Sequence, residues 1–128
     1  MNRQEVVQRV RDHLLSASKR AVSEHGTCQF RTPEGLKCAV GCLFPDDYDV
    51  SGFNSAGLSN SINETRSRLV AALDDIGVPR ESHGFLMEAQ DLHDCEYNWN
   101  DDGLYDKAVE RLHELCRLEL CRQELNAC

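Results

Sequence analysis

Cys28-Gln29-Phe30-Arg31-Thr32-Pro33-Glu34-Gly35-Leu36-Lys37-Cys38-Ala39-Val40-Gly41-Cys42-Leu43-Phe44-Pro45-Asp46-Asp47 brings together three cysteines, a Pro-Glu-Gly turn and an uncharged run of small and apolar residues. Neither a regular helix nor a regular strand is built this way. Proline presets one turn residue and glycine tolerates positive φ, so Cys28 to Arg31 and Leu36 to Cys38 are predicted to face each other as a short hairpin across Thr32-Pro33-Glu34-Gly35. Ala39 to Phe44 is predicted as a short helix, because alanine, leucine and glycine suit close packing there better than β pairing. Pro45 ends it.

Outward from the hairpin the apolar pattern is helical. Upstream, Val6, Val7, Val10, Leu14, Ala17, Ala21 and Val22 predict a first helix over 3–24, stopped at His25-Gly26. Downstream, residues 45–60 are rich in Asp, Ser, Asn and Gly and predict a long loop, a kind of segment that often carries function. Ser59 or Asn60 then caps a second helix with Ile62, Leu69, Leu73 and Ile76, ended by Gly77 before Pro79. A third helix, starting near residue 80, presents Phe85, Leu86, Ala89, Leu92 and His93 and gives out at Tyr97-Asn98-Trp99-Asn100. Asp101 or Asp102 is predicted to cap a long last helix with Leu104, Ala108, Val109, Leu112, Leu115, Cys116 and Leu120. The expectation is one compact domain over 1–128, mainly α, with about four helices and a small β-hairpin inserted after helix one.

The 28–47 stretch resembles a group of small bacteriophage and bacterial proteins. These share Cys-x-(Tyr/Phe)-Arg, a short turn, and Gly-x-(Lys/Arg)-Cys-Ala-(Val/Ile)-Gly-Cys-Leu followed by Pro-Asp. They tend to carry a His-Asp pair further along, which His93-Asp94 matches. The resemblance implies a phage or prophage setting, and it carries over no catalytic residues.

At 128 residues the chain can bury roughly two thirds of its unfolded surface, so neither metal nor disulfide is needed for folding. The opening Met1-Asn2-Arg3-Gln4-Glu5 lacks the basic and apolar regions of a secretion signal, and the apolar runs are too short to span a bilayer. A cytoplasmic protein without membrane contact is expected. The seven cysteines, at 28, 38, 42, 95, 116, 121 and 128, are an odd number and read as thiols or metal ligands in a reducing compartment. The net charge of −8 is concentrated in residues 81–106, where Glu81, Glu88, Asp91, Asp94, Glu96, Asp101, Asp102 and Asp106 occur without any Lys or Arg. Such a field repels phosphate backbones and attracts a protein partner with a basic surface, so direct nucleic-acid binding is not expected.

Four chemistries compete for these residues. His25-x2-Cys28-x9-Cys38-x3-Cys42 offers four N/S ligands with zinc-like outer spacings, against a reading of Cys38 and Cys42 as small buried apolar residues. Cys38 near a helix N-terminus, with His93 as base and Asp94 or Asp91 beside it, makes a candidate cysteine hydrolase. A histidine on an apolar helix face, however, is more often a packed residue. Asn98-x-Asn100-x-Asp102-Gly103 matches the first half of a calcium loop, but Val109 stands where the bidentate Glu belongs. The fourth reading is binding: Asp91, Asp94, Glu96, Asp101 and Asp102 share the acidic window with Tyr97, Trp99 and Tyr105, and aromatic anchors among steering charges make a protein-binding patch. The competing role for Trp99 is a core plug between helices three and four. Taken with the resemblance and the size, the reading is a small acidic phage-type accessory protein. It would bind, and could inhibit, a host or defence macromolecule; a Cys38/His93 hydrolase and a zinc-organised module are the alternatives.

Overall fold

The computed structural model describes residues 1–23, 28–50, 53 and 63–126. It is mainly α, with helices α1 (Arg3–Ser16), α2 (Asn63–Asp75), α3 (His83–Asp94) and α4 (Asp106–Asn126). A minimal hairpin follows α1, and a second antiparallel hairpin, β1 (Trp99–Asn100) paired with β2 (Gly103–Leu104), joins α3 to α4.

Each end has a local cause. Asn2 caps α1 in a capping box: its side chain accepts from the Glu5 amide at 2.8 Å while Glu5 reaches back to the Asn2 amide. The helix stops at Ser16, well short of the predicted residue 24. Beyond it the chain is extended, and Ala21 and Val22 pair with the strand at Cys28: Val22 bridges Cys28, and the Gln29 amide donates to Ala21 O at 3.0 Å. Ala21 is fully buried, which explains why an extended segment kept the helical phase of its apolar residues. At the end of α2, Gly77 has φ +86, the Val78 amide bonds Leu73 O and the Gly77 amide bonds Asp74 O. That paired closure needs a left-handed residue at its corner. The predicted cap of α2 at Ser59 or Asn60 lies outside the described residues.

The first hairpin forms where its turn residues predict it. The Gly35 amide donates to Thr32 O, the Thr32 amide to Leu36 O and the Cys38 amide to Phe30 O, with Gly35 at φ +90. Ala39–Phe44 winds only into a 3₁₀ turn, Gly41–Leu43, after which Phe44 is extended into Pro45. Arg31 holds the next loop by donating to the carbonyls of Pro45, Asp46 and Tyr48 at 2.8 to 3.1 Å. Phe30, Phe44 and Phe53 pack with ring centroids 5.8 to 6.4 Å apart and close the core over the valines of α1.

α1 and α4 run antiparallel and make the broadest helix–helix contact. Arg3 at one end pairs with Glu119, and at the other end Gly103 sits beneath the Ala17 carbonyl. α4 begins at Asp106, so Asp101 and Asp102 do not cap it as predicted and instead form the turn between β1 and β2. No helix among the described residues is long and apolar enough to cross a membrane.

Candidate functional site

The last turn of a helix leaves carbonyls without intrahelical partners. In α3 three side chains from outside the helix take them. Asn98 Nδ2 donates to Leu92 O at 2.9 Å, Trp99 Nε1 to His93 O at 2.8 Å and Arg20 Nη1 to Asp94 O at 2.6 Å. Arg20 also places a cation at the negative end of the helix dipole. Trp99 stands edge-on to the His93 ring, centroids 5.6 Å apart, and is half-buried. It thus ties the second hairpin to the end of α3, and is neither a projecting anchor nor the predicted core plug between helices three and four.

His93 is 1% exposed and uses both ring nitrogens. The Ala21 amide donates to Nε2 at 3.1 Å, so the ring proton sits on Nδ1 and is donated to Asp94 Oδ1 at 2.7 Å. Gln90 donates to the same carboxylate oxygen at 2.8 Å, and its own Oε1 accepts from the Val40 amide at 3.0 Å. One network therefore ties α3 to the extended segment after α1 and to the 38–40 corner. His93→Leu should destabilise the protein by about 2 to 3 kcal/mol, because the Ala21 amide loses its acceptor inside the core. Urea denaturation measures this, and a change below about 0.5 kcal/mol would mean the network does not hold the fold.

This geometry bears directly on the hydrolase reading. Cys38 and Asp94 do share a neighbourhood, but Cys38 is completely buried and its sulfur accepts from the Gly41 amide at 3.1 Å. Burial pushes the Cys38 thiol up to about 12, with the Asp94 charge adding to the effect. A buried thiol of raised pKa and a histidine whose Nε2 is already occupied are not poised for attack. Cys38 and His93 are packed in the core, and the part-exposed Asp94 holds the His93 ring, in place of the predicted nucleophile, base and orienting acid.

Of the predicted zinc ligands, Cys28, Cys38 and Cys42 are described and each sulfur has a protein partner. His25 lies outside the described residues, and among those described no group of three or more His, Cys, Asp or Glu could hold a metal ion. Burial pushes the Cys28 thiol up to about 11 and that of Cys42 to about 12, and Cys42 Sγ donates to Ala39 O at 3.0 Å. In the half calcium loop, Asn100 Oδ1 accepts from the Asp102 amide at 2.7 Å and Asn98 is committed to Leu92. Both asparagines are hairpin-forming residues here.

The binding residues have a different fate. Glu96, Asp101 and Asp102 are exposed, and Tyr97 is 82% exposed. Asp91 is also at the surface, its carboxyl held above the usual range by partial burial and by the charges of Asp94 and Glu88. Asp94 is turned toward the network, although its side chain keeps 38% exposure. The structure places Tyr105, the third aromatic of the acidic window, at the same surface and adds Asn100, Asp106 and Lys107, which the sequence reading did not assign to it. Tyr105, 49% exposed, lines a groove of about 400 Å³ with Tyr97, Asn98, Asn100, Asp106 and Lys107. A second hollow of about 280 Å³ lies between α3 and α4, where Glu88, Asp91 and Arg111 surround Leu92 and Leu115, and Asn98 borders both. The meeting of Tyr97 and Tyr105 in one groove follows from their spacing about a two-residue hairpin turn, which brings both ends of the segment back together. No protein family, curated protein or solved structure matches the chain.

Proposed function

We propose that this chain is a small interaction protein of the phage-accessory type, which binds a host or defence macromolecule through the acidic and aromatic surface of its second hairpin and can inhibit it. The observation that supports this is the pair of exposed tyrosines, Tyr97 and Tyr105, set in one groove among exposed carboxylates. Large exposed apolar side chains sharing one hollow are uncommon on a surface that serves only solvation. The mounting suits binding: the Tyr105 amide donates to Asn98 O at 2.8 Å, and the Asn98 and Trp99 side chains are anchored on α3. An anchor held in advance loses little entropy on binding. The phage setting comes from the 28–47 resemblance.

The test begins with capture of the partner from a bacterial lysate and its identification by mass spectrometry. Asp91→Asn, Glu96→Gln, Asp101→Asn and Asp102→Asn together should then slow association roughly tenfold or more and flatten its dependence on salt. Cys38→Ser should leave the rate unchanged. An unaltered rate and salt slope in the fourfold variant would reduce the acidic face to solvated surface, and loss of binding in Cys38→Ser alone would restore the cysteine chemistry.

A further inference from the structure

We infer that the groove between Tyr97 and Tyr105 receives the guanidinium of an arginine side chain presented by a partner polypeptide, an assignment that rests on the binding reading above. Of the three large hydrophobic side chains exposed among the described residues, Leu15, Tyr97 and Tyr105, two line this one groove. The groove is lined further by Asn98, Asn100, Asp106, Lys107 and Ala108, so one acid and one base border it. Aromatic faces with a carboxylate at hand suit a planar, weakly hydrated cation that stacks and also donates in a fork. A lysine ammonium is more strongly hydrated and cannot stack, and a neutral aliphatic side chain would leave Asp106 unanswered. Tyrosine faces also stack nucleobases, but the exposed Glu96, Asp101, Asp102 and Asp106 would repel the attached phosphates.

Lys107 makes the inference sharper. It is the one base bordering this groove among the described residues, and its charge opposes an incoming cation. Asp106 precedes it in the first turn of α4, so the two have opposite effects on the same guest. Removing Asp106's charge should weaken binding, and removing Lys107's should strengthen it.

The probes are three fluorescein-labelled nonapeptides, identical except that they carry three arginines, three lysines or three citrullines, titrated by fluorescence anisotropy at two salt concentrations. The arginine peptide should bind about tenfold more tightly than the lysine peptide, and the citrulline peptide, which is planar but neutral, should not bind measurably. Tyr97→Ala and Tyr105→Ala should each weaken arginine-peptide binding by about threefold to tenfold, and Asp106→Asn by a similar factor. Lys107→Gln should tighten it by about twofold to threefold. Tyr97 is so exposed that its alanine variant folds as the parent does. Equal affinity for the arginine and lysine peptides, or tyrosine variants that bind as the parent does, would overturn the groove assignment. If the fourfold amide variant still loses association with the captured partner in that case, the acidic surface binds without this groove. If neither set of substitutions changes anything, the binding reading falls as well.

Discussion

Replacing Gly41 by alanine is expected to remove a large share of the protein's stability, although it adds a single methyl group. A Cβ built on Gly41 would lie 2.2 Å from the Phe30 carbonyl oxygen and 3.2 Å from Cys38 Sγ. The first obstacle is backbone and cannot swing aside. That carbonyl accepts the Cys38 amide across the first hairpin, and the Phe30 ring sits among Phe44 and Phe53. To admit the methyl, the hairpin must give up its closing bond or the aromatic cluster must separate. Either change should cost at least about 3 kcal/mol, a value from the upper tail for single substitutions. Against a total stability of about 5 to 15 kcal/mol this is severe. The urea midpoint should fall by roughly 1 M or more. An unchanged midpoint would mean that the 3₁₀ turn does not sit against Phe30 as described.

The same contact explains what the 28–47 stretch is for. Phe30 enters the core, Arg31 gathers three carbonyls of the next loop, Gly35 closes the turn, Cys38 fills space beneath Gly41, and Gly41 allows two pieces of backbone to touch. Cys38, Cys42 and Gly41 of this stretch contribute close packing. Cysteine serves as a small apolar side chain whose burial keeps it protonated.

The hairpin after helix one was readable because Pro33 and Gly35 constrain their own dihedrals, and those preferences need no tertiary partner. The helices after it were readable from apolar spacing for the same kind of reason. The end of α1 was not. Ala17, Ala21 and Val22 continue the helical rhythm, yet Ala21 is more useful extended, where its amide reaches His93 and its carbonyl takes Gln29. That preference comes from residues far along the chain, and no local pattern reports it. The same holds for Arg20, Asn98 and Trp99, whose shared role is to finish α3 from outside. Asp101 and Asp102 are good caps in isolation, but the hairpin turn claims them first. The acidic and aromatic character of 91–106 could be read directly. Which members face outward depended on this packing: Trp99 and Asp94 turn in, and Tyr97 and Tyr105 stay out.

The second large effect is expected at the opposite side of the core, where α1 and α4 are joined by a buried ion pair. Arg3 Nη2 donates to Glu119 Oε1 at 3.0 Å and Arg3 Nε to Oε2 at 3.2 Å, a two-pronged contact with Glu119 only 1% exposed and the Arg3 side chain 11% exposed. Arg3→Ala would leave the Glu119 carboxylate in the core without a cation. Removing one member of such a pair typically costs about 3 to 5 kcal/mol, because the abandoned charge keeps its desolvation penalty. Replacing both members should behave very differently. Arg3→Met with Glu119→Leu removes the buried charges together and fills the space with apolar atoms, so the double variant should lie within about 1 kcal/mol of the parent or above it. The coupling between the two sites would then be several kcal/mol, far more than an exposed pair provides. Salt gives an independent check. Shielded from solvent, the pair should respond little to added sodium chloride, so the stability gap between Arg3→Ala and the parent should persist from low to high ionic strength. A single variant that loses less than about 1 kcal/mol, or a gap that closes as salt rises, would show that water reaches Glu119 and that α1 and α4 meet more loosely at this end.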